Sequence, residues 1–477
     1  MRQGPPARFR NADVLDGRRG AESIRRLKTG SARAAEPQPS AARRATTPLL
    51  AAMRTRNLVT GLVIPIVTAV AVGIAVVVVA GANSGTGGSA PSTLSAGFPP
   101  ARNAAADFSG AKVAVNAVAS SGATEVAAGS AGGSPALWRS IDGGSTWARA
   151  AGATPAVLGG AGQNQLASVT HGPSGWLAVG GGTTAKGTAT AGDGTTGGGA
   201  AGVTGRPVVV GSADGKTWTS ANGEGAFTGN GLVTSAAAAG PAGYVIVGRQ
   251  ASSGGSIAAA WYSRGLTGWR VATDARAGAL EGDGDRQMNA VTATAKGFVA
   301  AGSAGTRPAA WLSASGRTWS AVVLPLPAGA ARAELRYVAA SGNTVAAAGT
   351  ATTAGGRQVP FAAVSANGGA SWSETLLPVP EGGAAEVTAL TGAGGGFTAT
   401  GTYGRPGAQD VVVWLLPGGA APAAAWTAAT PEGMGLTGQG TQAITALTCV
   451  GATLTGVGFA ATAASEEPTI WQSPVRS

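Results

Sequence analysis

A glycine that closes a short Val/Ala/Thr-rich run returns about every 50 residues along this chain, which limits it to a repeating fold. The runs read EVAAG, WLAVG, YVIVG, FVAAG, TVAAAG, FTATG and LTGVG, ending at Gly129, Gly180, Gly248, Gly302, Gly349, Gly401 and Gly458. Small and β-branched residues bounded by turn residues mark a strand. Another apolar run precedes each of these segments (VNAVAS, LASVT, LVTSA, MNAVTA, LRYVAA, EVTAL, AITAL). A third follows each glycine (ALWRS, VVVGS, AAWYS, AAWLS, FAAVS, VVVWLL, TIWQS). After six of these third runs come a turn and a tryptophan: Trp147, Trp218, Trp269, Trp319, Trp372 and Trp426.

Each unit therefore reads as four short strands joined by turns, at the period of a propeller blade. The expected fold is all-β, a seven-bladed β-propeller of four-stranded antiparallel blades. Packed blades need small residues on their inner strands, which accounts for much of the Ala and for the 80 glycines. No segment beyond residue 81 shows a helical period, so helical bundles and βαβ sheets are poor alternatives.

Between the third and fourth strands of the first unit lies SIDGGSTW, Ser140 to Trp147. Asp can bond nearby backbone amides, Gly can take positive φ, Ser and Thr can satisfy the remaining donors, and the Trp packs between blades. Decaying copies follow: SADGKTW (212–218), SRGLTGW (263–269), SASGRTW (313–319) and SANGGASW (365–372). The sixth unit has LPGGAAPAAAW instead. The series resembles the Asp-box, or BNR, repeats of sialidase-like β-propellers. The resemblance covers residues 92–477 and implies that Asp142 and Asp214 are structural turn residues remote from the ligand face.

Charge is concentrated at one end. Residues 1–56 hold 13 Lys/Arg against four acids, and the rest of the chain holds 20 against 18. The tail thus reads as a basic, disordered cytoplasmic segment, and the remainder is near neutral, so nucleic-acid binding is not expected. Residues 57–81 (NLVTGLVIPIVTAVAVGIAVVVVAG) carry no charge and are long enough to cross a bilayer once as a helix. Arginines flank the run on its N-terminal side, which places the tail inside and everything after residue 81 outside the cell membrane. A cleaved signal peptide and a start at Met53 remain alternatives to an uncleaved single-pass anchor. Residues 82–91 form a flexible linker, and 92–477 the extracytoplasmic propeller.

The seventh unit ends after its third strand, leaving an open sheet edge. Residues 92–98 are expected to close it by pairing with 468–473, Phe98 standing where other units have Trp. Alternating strands then put the box turns and the tether on one face. The connections between second and third strands fall on the other, and they carry Arg206, Arg249, Arg307, Arg357 and Arg405. Guanidinium groups suit bidentate recognition of carboxylate or phosphate. These five are the candidate ligand-binding residues, with solvated loop arginines as the competing explanation.

The resemblance implies, for a sialidase, an arginine triad, a Tyr nucleophile paired with Glu, an Asp acid and an aromatic-Arg-x-Pro signature. The first unit has GGSPALW, without that Arg. Of four tyrosines only Tyr337 has charged neighbours, Glu334 and Arg336. The acidic EGDGDR (281–286) reads as a solvated loop. One cysteine, Cys449, and one histidine, His171, exclude a disulfide framework and clustered Cys/His metal sites. The expectation is a monomeric binding or scaffolding module for an anionic cell-envelope polymer or a partner protein. It has no catalytic residues, cofactor or metal, and a glycoside hydrolase is the alternative.

Overall fold

The computed structural model describes residues 77–78, 102–103, 107–108, 112–154, 156–158, 164–182, 207–222, 225–380, 383–419, 426–429, 431, 435–462 and 466–475. These residues form strands and turns only, in successive antiparallel units numbered here one to seven in chain order. Their first, inner strands are Val113–Ser121, Asn164–Gly172, Val233–Gly240, Arg286–Thr294, Ala330–Ser341, Ala384–Ala393 and Thr441–Val450. In unit one the order outward is Val113–Ser121, Thr124–Ala131, Ser134–Ser140 and Ala148–Arg149, each antiparallel to the last. This is propeller-type architecture. Each inner strand lies against the inner strand of the next unit, and that of unit seven lies against that of unit one.

The repeated glycine has a physical reason that its spacing did not reveal. It does not end its strand. It lies inside the second strand, paired with the residue just before a β-bulge in the first: Val115, Leu166, Thr234, Met288, Leu335, Val387 and Ile444. At every one of the seven glycines, an added Cβ would fall far inside van der Waals contact with a carbonyl oxygen of the bulged strand, such as Ala114 O at Gly129. The bulge and the glycine are therefore one device, repeated around the fold.

The bulged residues also join the units. Asn116 donates from Nδ2 to Leu166 O (2.9 Å) and Asn289 to Leu335 O (2.8 Å). Thr388 Oγ1 donates to Ile444 O, and Thr445 Oγ1 to Val115 O, both at 2.6 Å. Each acceptor is the carbonyl immediately before the next unit's bulge, and the last of these bonds joins unit seven to unit one. In unit five the bulged residue is Arg336, which reaches Glu386 of unit six instead.

The box turns are built as their sequences imply. Asp142 Oδ1 accepts from Ser140 Oγ (2.7 Å) and Thr146 N (2.9 Å), and Oδ2 accepts from Thr146 Oγ1 (2.7 Å). These bonds, those from Thr146 foremost, hold the Asp142 carboxyl down at about 2. The indole of Trp147 donates to Gly144 O, and the same bond recurs at Trp218, Trp319 and Trp372. In unit five Asn367 replaces the aspartate, accepting from Ser365 Oγ and Ser371 N.

Closure differs from expectation in its residues. The strand added to unit seven is Arg102–Asn103, which pairs antiparallel with Ile470 and Thr469. Phe98 and residues 92–98 lie outside the described residues. The aromatic of this connection is Phe108, stacked on Trp147 and edge-on to Trp138. Phe227 packs in tilted geometry against Trp261 and Trp269 in unit three, so in both places a connecting segment supplies an aromatic to this tryptophan pair.

The basic tail, the linker and nearly all of the apolar run also lie outside the described residues. Within that run Val77–Val78 are the described residues, extended and parallel to Ala340 and Ser341. Among the described residues no helix is long and apolar enough to cross a membrane.

Candidate functional site

On the face opposite the box turns, where inner strands begin and second strands turn into third, units three to five surround a cleft of about 220 Å³. Unit three contributes Arg249 and Ser256. Unit four contributes Asp285, Gln287, Ser303 and Thr306. Unit five contributes Arg332, Glu334, Arg336, Thr350, Thr352 and Gln358. The lining is almost wholly polar.

Glu334 and Arg336, two residues apart on the inner strand of unit five, share the polar surface by ordinary strand alternation, and Tyr337, just past the bulge, packs in the core. Arg336 donates from Nε to Glu334 Oε1 (2.7 Å) and from Nη1 to Glu386 Oε1 (2.8 Å). Burial opposes its charge, but Glu334 and then Glu386 outweigh that and raise its pKa. Asp285 Oδ1 accepts from Ser256 N (2.7 Å) and Ser256 Oγ (3.1 Å), tying units three and four together beneath the cleft.

Three groups are left with unfilled bonding capacity. Arg249 and Arg332 form no ion pair among the described residues. The Thr350 hydroxyl is buried on the cleft wall without a hydrogen-bond partner. A buried polar atom of this kind costs about 1–3 kcal/mol if nothing pairs with it. Two uncommitted guanidinium groups, a hydroxyl and amide side chains make a surface suited to an anionic, hydroxyl-rich ligand.

Of the five arginines singled out in the sequence, Arg249 lines this cleft. Arg307, Arg357 and Arg405 are exposed on hairpins of the same face outside its lining, and Arg206 lies outside the described residues. Arg307 is partly committed, donating from Nε to Leu324 O (3.0 Å). The face is not uniformly positive either, since Asp285, Glu334, Glu386 and Asp410 share it. Spacing alone missed Arg332, because it lies at the start of an inner strand rather than in a hairpin. Glu334 and Arg336 were visible only as neighbours of Tyr337.

Tyr337 cannot serve as a nucleophile in this arrangement. It is 3% exposed among Ala339, Val412 and Trp414, and burial raises its hydroxyl above its ordinary value. His171 stands at the end of its strand, edge-on to Trp176. Among the described residues no group of three His, Cys, Asp or Glu side chains could hold a metal ion.

No protein-family model and no curated protein matches the sequence. Among solved structures, an ancestral GH74 enzyme aligns at 12% identity over 76% of this chain and 47% of its own, with a TM-score of 0.42. The sialidase of Trypanosoma rangeli with bound sialic acid aligns at 12% identity over 75% of this chain and 53% of its own, TM-score 0.39. The GH74 xyloglucanase of Xanthomonas campestris aligns at 13% identity over 75% and 62%, TM-score 0.35. The chain thus spans less than two-thirds of each of these proteins, and the likenesses assign it neither activity nor ligand.

Proposed function

We propose that this chain is a membrane-anchored, extracytoplasmic binding module of the Asp-box type. Its seven units form one closed propeller, and its cleft binds a carboxylate-bearing saccharide of the cell envelope. The observation that carries this reading is the pair of uncommitted guanidinium groups, Arg249 and Arg332, on one cleft with the unpartnered Thr350 hydroxyl. Guanidinium pairs orient a carboxylate, and hydroxyl and amide groups satisfy a sugar's remaining oxygens. The third arginine, Arg336, is held by two glutamates and serves to fix the wall.

Glycoside hydrolysis is the second reading, favoured by Asp285 and Glu334 on the same cleft. Two carboxylates flanking a bond are the usual machinery for that reaction. Both already accept hydrogen bonds within the protein, Asp285 from Ser256 and Glu334 from Arg336. The test is a glycan array probed with the full chain in non-ionic micelles. Selective retention of uronate- or sialate-terminated glycans supports the binding reading. Equal retention of neutral glycans contradicts it, and release of reducing sugar, lost in Asp285→Asn, establishes hydrolysis.

A further inference from the structure

We propose that the box-turn face of this protein lies on an anionic phospholipid surface. Across units two to four, the described turns on that face carry four exposed cations, Lys216, Arg264, Lys296 and Arg317, against one carboxylate, Asp214. Asp214 accepts three bonds from its own turn, which keep it folded back on that turn. The opposite face has no such bias.

A second observation is independent of charge. The two most exposed large hydrophobic side chains among the described residues are Ile141 (62%) and Val271 (59%). Ile141 sits at the tip of the box turn in unit one, and Val271 just past that of unit three. Cations at headgroup level beside protruding aliphatic side chains are the pattern of a surface that rests in a bilayer interface.

Chain direction agrees. The third strand of unit seven, Glu466–Pro474, runs toward the box-turn face, and Arg102–Asn103 is antiparallel to it. The polypeptide therefore enters this strand from the box-turn face, the side from which an anchor at residues 57–81 would arrive. In this respect the inference rests on the anchored reading; the charge and the exposed side chains do not.

The test uses the full chain with Cys449→Ala, reconstituted in phosphatidylcholine vesicles or in vesicles that also contain phosphatidylglycerol. A nitroxide is placed at Ala314→Cys in the box turn of unit four, or at Ala354→Cys on the opposite face. Collision with a nickel-chelating headgroup lipid is then read. Each basic residue at an anionic surface is worth roughly fivefold in occupancy. Collision at Ala314 should thus rise at least about fivefold on adding phosphatidylglycerol, with little change at Ala354. Charge reversal at Lys216, Arg264, Lys296 and Arg317 should abolish the rise.

Equal collision at Ala314 in both vesicles, or a rise that survives charge reversal, overturns the proposal. Flotation reports the anchor separately. A chain that floats with the anionic vesicles but not with neutral ones removes the anchor and leaves docking standing. A chain that floats with both, without the collision difference, keeps the anchor and removes docking.

Discussion

Replacing Glu125 by glutamine should stabilise the fold at alkaline pH and leave it unchanged in mild acid. Glu125 is 1% exposed, on the second strand of unit one where it meets unit seven. Its Oε1 accepts from Thr455 Oγ1 (3.3 Å), and its Oε2 has no partner. Gln472 and the backbone of Gly144 lie alongside, and the charge of Asp142 also acts on it. Burial first, with repulsion from Asp142 adding, raises the carboxyl from 4.5 to about 7, while the Thr455 bond opposes the change.

The folded state therefore holds this proton more tightly than the unfolded chain does. The stability so contributed is complete below pH 4.5 and is lost as pH rises through about 7. The corresponding free energy is at most about 3 kcal/mol. Urea denaturation of parent and Glu125→Gln at pH 5 and pH 8 measures it. The variant should match the parent at pH 5 and exceed it at pH 8 by ~2–3 kcal/mol, or roughly 4 °C in Tm for a domain of this size. His171, whose pKa burial lowers, acts with the opposite sign in the same window, but it is present in both proteins and cancels in the difference. A variant-minus-parent difference that is the same at both pH values would show that Glu125 holds no proton more tightly in the folded state.

Other outcomes follow from the same geometry. Gly302→Ala, a change that usually favours a strand, should here cost about 2–3 kcal/mol because the Cβ meets the Gln287 carbonyl; equal unfolding midpoints would contradict it. Thr445→Val keeps the shape but removes the bond from unit seven to Val115 O, and should lower stability by about 1–2 kcal/mol in calorimetry. Tyr337→Phe should leave binding of acidic saccharides unchanged, because the ring packs in the core; titration calorimetry reads this directly.

The fold was legible because its unit repeats. Strands, box turns and the tryptophans behind them all recur at one period, and even degenerate copies keep the Ser–Gly and Trp–Gly bonds of the turn. The glycine was legible as a marker but not as a cause, since its partner is a bulge some fourteen residues away that leaves no signature in any one strand. Closure was legible in kind. The described pairing runs through Arg102–Asn103, with Phe108 packed on Trp138 and Trp147, while Phe98 lies outside the described residues. The cleft was least legible. Arg332, Glu334 and Arg336 meet Arg249 only through the packing of unit five beside units three and four, which no single strand's pattern records.

Arg249 and Arg332 are proposed to bind a carboxylate in the cleft of units three to five. Titration calorimetry of the full chain with N-acetylneuraminic, glucuronic and galacturonic acids, each beside its methyl ester, tests it most directly. Esterification removes the charge and leaves the sugar otherwise intact. At least one acid should bind, its ester should bind at least about tenfold more weakly, and Arg249→Ala/Arg332→Ala should abolish the preference. Acids that bind no better than their esters, or a preference that survives the double variant, would contradict it.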